Sequence, residues 1–169
     1  MALVVFLRGV NLGRKRFQPS VLAKDLADLE VASLGAAGTF IVRGSSDARK
    51  VRAAFGAALP FEAEVMAVKA ADVRELVEAR PFGRVPTGAR PFVSVLGAVP
   101  RTLPTFPVER PASGAWEVRL VGVRGPFALS VRRNQQGRFY PNELVEATLG
   151  VPATTRGWAT IEALAKKLG

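Results

Sequence analysis

The sequence predicts an α+β fold: a ferredoxin-like βαββαβ half over residues 1–85, packed with a smaller C-terminal α+β half over residues 86–169, made of antiparallel strands plus two helices. Three observations carry that expectation. The chain opens on an apolar strand, and apolar runs of strand length then alternate with amphipathic stretches of helical period. Between the halves, the prolines and glycines of Arg80-Pro81-Phe82-Gly83-Arg84-Val85-Pro86-Thr87-Gly88 break the pattern.

Residues 3–8 read as a strand, with Leu3, Val5 and Leu7 alternating with Val4, Phe6 and Arg8; both faces are largely apolar, as in a central strand. Pro19 suits a first helical turn, and Leu22, Leu26 and Leu29 mark the inward face of the helix that follows. Two short strands, 31–34 and 39–43, come next, then a helix capped by Ser46 or Asp47 with Val51, Phe55 and Leu59 inward. Phe61, Ala63, Val65 and Ala67 alternate with Glu62, Glu64 and Met66 in a fourth strand, which completes βαββαβ. A short helix with Val73, Leu76 and Val77 inward leads to the boundary.

The second half offers strands at 91–97, 116–123 and 127–133, the last two a hairpin across Arg124-Gly125-Pro126. A loop with Pro100, Pro104, Pro107 and Pro111 separates the first two. One helix begins at Pro141 or Asn142. The last carries Trp158, Ile161, Leu164, Ala165 and Leu168 on one face, with Lys166 and Lys167 suited to its negative end.

Composition limits the chemistry. The chain has 169 residues, 49% of them hydrophobic, enough for a real core. The apolar run Met1 to Leu7 is far shorter than the ~20 residues of a membrane span, so neither membrane insertion nor export is expected, and a cytoplasmic location follows. Cysteine and histidine are both absent. Disulfides, thiolate nucleophiles, Ser/His and Cys/His pairs and the commonest metal ligand are therefore excluded, and no metal site or cofactor is expected. The formal charge is +10 and arginine supplies 18 of the 24 basic residues. Such a surface attracts nucleic acid or phosphorylated ligands, and the competing account is the codon bias of a GC-rich genome.

Two segments at opposite ends are distinctive: Phe6-Leu7-Arg8-Gly9-Val10-Asn11-Leu12-Gly13 and Thr154-Thr155-Arg156-Gly157-Trp158-Ala159-Thr160-Ile161-Glu162-Ala163-Leu164. They resemble the start, LLRGINVGG, and the end, TTRNWNTV, of the bacterial family catalogued as domain of unknown function 1697. The family's central TYIxSGNVVF pattern is matched loosely by Ser33 to Val42. The resemblance implies an α+β protein with a ferredoxin-like N-terminal part and carries no activity, substrate or cofactor. The chain is a divergent member: Arg14, Ala37, Thr39, Gly157 and Ala159 stand where the family has glycine or polar residues.

Four constellations are candidates for binding. The loop Gly9 to Gly13 with Arg8, Asn11, Arg14, Lys15 and Arg16 can aim backbone amides and cations at a phosphate, although its spacing is not that of a P-loop; simple turn geometry is the competing account. Thr154, Thr155 and Arg156 can hold an anion at the start of the last helix, or a threonine can cap that helix while Trp158 anchors it. Arg119, Arg124, Arg132, Arg133 and Arg138 lie in an acid-free stretch, and the hairpin puts Arg119 and Arg132 on one face, opposite Trp116, Val118, Leu120, Phe127, Leu129 and Val131. With Phe139 and Tyr140 they form a basic strip for a single strand, unless both aromatics belong to the core. Phe6 sits where the first strand of an RNA-recognition module has an aromatic, but 39–43 lacks that module's pattern and Glu62 and Glu64 repel phosphates.

The leading expectation is a non-catalytic nucleic-acid-binding protein that uses Arg8, Arg14, Lys15, Arg16 and the strip Arg119, Arg132, Arg133 and Arg138. The alternative is an enzyme or sensor for a small phosphorylated or carboxylated ligand held between the halves by Arg8, Asn11 and Arg156.

Overall fold

The computed structural model describes residues 1–8, 18–35, 38–133, 135 and 137–169. Among these residues the chain forms two antiparallel sheets and five α-helices, the mixed α+β class the sequence predicts. It divides into two compact units, Met1–Glu75 with Lys167–Gly169, and Leu76–Lys166.

In the first unit, strands β1 (Leu3–Arg8), β2 (Val31–Ser33), β3 (Thr39–Val42) and β4 (Glu64–Lys69) lie in the order β2-β3-β1-β4, every neighbour antiparallel. β1 is central, and residues 3–7 are all buried, as two apolar faces require. Leu3, Val5 and Leu7 share a core with Phe40 and Val42 of β3, with Leu22 and Leu29, and with Val51, Phe55 and Leu59. The rings of Phe40 and Phe55 meet edge to face at 5.3 Å. The alternate residues Val4, Phe6, Ile41, Met66 and Val68 are buried as well.

Local chemistry sets the helices of this unit. α1 (Pro19–Asp25) starts on its proline and is shorter than the leucine spacing suggests, because Ala27–Leu29 tightens into a 3₁₀ turn that ends at Glu30 with φ 50°. α2 (Ala48–Ala58) is capped by Asp47, whose carboxylate accepts from the amides of Arg49 at 3.0 Å and Lys50 at 3.2 Å; Asp47 rather than Ser46 is the cap. Gly44 lets two segments touch: a Cβ there would lie 2.6 Å from the carbonyl carbon of Leu29. α3 (Ala70–Glu78) follows β4 directly.

In the second unit, strands β5 (Arg90–Leu96), β6 (Val108–Arg110), β7 (Val118–Arg124), β8 (Phe127–Arg132) and β9 (Ala153–Gly157) form one sheet in the order β6-β7-β8-β5-β9. α4 (Pro141–Leu149) lays Leu144, Val145 and Leu149 on the face that carries Leu96, Val118, Leu120, Ala128 and Ala153. It ends at Gly150, whose φ of 68° favours glycine. α5 (Trp158–Leu168) buries Ile161, Leu164 and Leu168, the inward set expected from its period. β6 and β9 are strands the sequence reading missed. The proline-rich loop contains β6, and the threonines taken for a helix cap belong to β9, paired along its length with β5.

Candidate functional site

The hairpin of β7 and β8 does not present Arg119 and Arg132 on one face. From its tip the pairing runs Arg124 with Phe127, Val123 with Ala128 and Gly122 with Leu129, then shifts so that Leu120 faces Ser130, Arg119 faces Val131 and Val118 faces Arg132. One extra residue, Val121, sits in a bulge, and everything before it turns to the opposite face from the one that simple alternation gives. Arg119 thus shares a face with Leu129 and Val131, and Arg132 shares one with Val118, Leu120 and α4. Gly122 within the strand is the signal in the sequence that marks such a bulge.

The arginines of the expected strip therefore do different work. Arg119 donates from Nε to Glu109 Oε2 at 2.7 Å, and its guanidinium lies 4.3 Å from the centre of the Trp116 ring. Arg133 approaches the same ring at 4.2 Å and donates from Nε to the Trp116 carbonyl at 3.0 Å. Trp116 is 9% exposed, so these two cations hold a core aromatic.

Arg132 is 8% exposed and lies beneath Tyr140, its guanidinium 4.5 Å from the ring centre, with Nη2 donating to the Gly137 carbonyl at 3.0 Å. Tyr140 is 51% exposed, while Phe139 packs against the core under α4. Arg90 stands directly opposite Arg132 across β5 and β8. Side chains so placed start about 5 Å apart, and two like charges there repel. Among the described residues neither forms an ion pair. Exposed Arg138 adds a third cation two residues before the tyrosine, its backbone amide held by Glu117 Oε1 at 3.1 Å. Tyr140 is also the N-cap of α4 and gives that helix no side-chain cap, so the positive end of the helix adds to the field. Two buried polar atoms on the same face of β8, Ser130 Oγ and Arg132 Nε, have no hydrogen-bond partner among the described residues.

Beside this group a chain of hydrogen bonds ties α4 to the sheet. Thr155 Oγ1 donates to Asn142 Oδ1 at 2.7 Å, which leaves Ser94 Oγ to donate to Thr155 Oγ1 at 2.6 Å. Asn142 Nδ2 donates to Glu146 Oε1 at 3.3 Å, and Glu146 Oε2 accepts from the Ala153 amide at 2.9 Å. Thr155, expected to touch an anion or cap a helix, instead links β5, β9 and α4.

The other candidates are dispersed. Arg8 ends β1 in the first unit and forms a 2.7 Å ion pair with Glu64, the residue opposite it on β4. The groove beside it, about 730 Å³, also has Glu62 in its wall, so its cation is matched by acids. Asn11, Arg14, Lys15 and Arg16 lie outside the described residues. Arg156 belongs to β9 of the second unit, where Nη1 donates to Thr154 Oγ1 at 2.7 Å and to the Thr155 carbonyl at 3.0 Å. Loss of solvent around its buried guanidinium lowers its pKa from the ordinary arginine value to about 10, which leaves it charged at neutral pH. No group of three potential metal-ligating side chains occurs among the described residues, and none of their helices is long and apolar enough to cross a membrane.

The sequence profile described as protein of unknown function (DUF1697) matches residues 1–122. The chain belongs to that family. Its structure is similar to that of the conserved bacterial protein SP0830 from Streptococcus pneumoniae, at 17% sequence identity and a TM-score of 0.61, over 99% of this chain and 98% of that one. At that identity the likeness is one of fold. No curated protein matches the chain.

Within this DUF1697 chain the two end segments take different structural parts. Of the first, Phe6, Leu7 and Arg8 complete the central strand β1, and the rest lies outside the described residues. The second forms β9 and opens α5, with Gly157 and Trp158 at the junction. The family profile ends before it, within β7.

Proposed function

We propose that this protein is a non-catalytic, cytoplasmic binding protein for a polyanion, single-stranded nucleic acid first, and that the polyanion docks on the face around Tyr140. One arrangement carries the reading: a half-exposed aromatic ring backed by a buried arginine, with exposed Arg90 and Arg138 beside it and no carboxylate paired with any of the three cations among the described residues. Stacking on the ring is indifferent to base identity, while the cations and the start of α4 follow the phosphates. The absence of histidine and cysteine supports binding over acid–base or thiolate chemistry. Arg119, held by Glu109 and Trp116, and Arg133, held by Trp116, are left out of this site.

The test is fluorescence anisotropy with labelled single-stranded and duplex oligonucleotides at two salt concentrations. Preferred binding of the single strand at low salt, weakening with a log–log slope of about 0.7 per neutralised phosphate, is expected. Absence of binding at low salt overturns the proposal and assigns the charge to composition.

A further inference from the structure

Within the second unit, the segment after α3 meets the sheet face opposite α4 and encloses a cavity of about 240 Å³. Val121, Leu129 and Val131 supply an apolar floor, and Phe82 and Trp116 stand as aromatic walls. Both walls are buttressed: Phe82 meets the Trp158 ring edge to face at 5.1 Å, and Trp116 carries the guanidinium groups of Arg133 and of Arg119, which itself lines the cavity. Two cations line the space, Arg84 and Arg119. Arg119 is neutralised by Glu109, whereas exposed Arg84 has no ion-pair partner among the described residues. The cavity therefore combines aromatic walls, an apolar floor and one uncompensated positive charge.

We infer that this cavity binds a small aromatic monocarboxylate, its ring on the floor between Phe82 and Trp116 and its carboxylate on Arg84. Size limits the ligand to about ten non-hydrogen atoms, since the space lies below the roughly 300 Å³ at which drug-sized pockets begin. The planar guanidinium of Arg84 favours a carboxylate through bidentate geometry. A second anionic group has no partner here, because Glu109 already claims Arg119. The site is separate from the Tyr140 face and does not depend on polyanion binding there.

The experiment uses the full chain carrying Trp158→Phe, which leaves Trp116 as the sole indole, and follows its fluorescence on titration with phenylacetate and with neutral phenylacetamide. Saturable change with phenylacetate in the millimolar range, at least tenfold tighter than with the amide, is expected. Arg84→Gln removes the preference for the acid, and Leu129→Phe, which fills the floor, abolishes both responses; thermal melting confirms that each variant is folded. Oligonucleotide binding is expected to be unchanged in Arg84→Gln, so the two proposals fail separately. Equal response to acid and amide, no saturable response to either, or persistence of binding in folded Leu129→Phe overturns the inference.

Discussion

The Arg132 guanidinium lies 4.5 Å from the centre of the Tyr140 ring, so a buried cation supports an exposed aromatic from below. The ring is fixed without being hidden. Tyr140→Ala is expected to weaken single-strand binding by about 1–3 kcal/mol, roughly fivefold to a hundredfold, with little change in melting temperature. Arg138→Gln is expected to lower the salt slope by about 0.7. Anisotropy titrations across a salt series measure both.

Ser130 points its hydroxyl towards the α4 side of the sheet, where it has no partner among the described residues. A buried hydroxyl without a hydrogen bond costs about 1–3 kcal/mol, so Ser130→Ala is expected to raise stability by about 1 kcal/mol in urea unfolding. Loss of stability on this substitution would show that the hydroxyl is satisfied in solution.

Thr155 is the middle of a chain: its hydroxyl accepts from Ser94 Oγ and donates to Asn142 Oδ1. Thr155→Val keeps the shape but strands Ser94 and Asn142, and a loss of about 1–3 kcal/mol is expected. Thr155→Ser, which restores the donor, recovers most of it. Paired denaturation curves of the two variants separate hydrogen bonding from packing.

Arg156 gives stability a defined dependence on pH. Its pKa is lowered to about 10 by burial, so between that value and the ordinary arginine pKa the unfolded chain binds more protons than the folded one. Stability then rises with pH through that window and is flat, as far as Arg156 is concerned, below it. The stability difference between the natural protein and Arg156→Met is expected to shift in favour of the natural protein by about 3 kcal/mol from pH 9 to beyond pH 12. Taking the difference cancels the tyrosines and lysines that titrate in the same range.

What the sequence disclosed follows from how locally each feature is determined. β1 is legible because Leu3 to Leu7 leave no polar face, and α2 because Asp47 precedes its apolar period at the capping position. Pro141 marks the start of α4 for a similar local reason. β9 is not legible: Thr154, Thr155 and Arg156 show no apolar alternation and become a strand only by pairing with Val93, Ser94 and Val95. Three-residue β6 has the same origin. The candidate site was half legible. Arg132, Arg138 and Tyr140 were marked by composition, but Arg90 enters through strand pairing over 42 positions of sequence, and Arg119 leaves through the bulge. Phe82 and Arg84 read as punctuation because their role rests entirely on the sheet they meet.

Val121 has a consequence for reading relatives of this chain. Because it is a single supernumerary residue held out of the ladder, its loss would close β7 into regular alternation and leave Leu120 opposite Ser130, Arg119 opposite Val131 and Val118 opposite Arg132. A one-codon gap at this position is thus a neutral slip. It preserves the wet and dry sides of the ribbon, so two relatives with the same arginines in the same order, one carrying the extra residue and one lacking it, would show the same charged surface to whatever they meet.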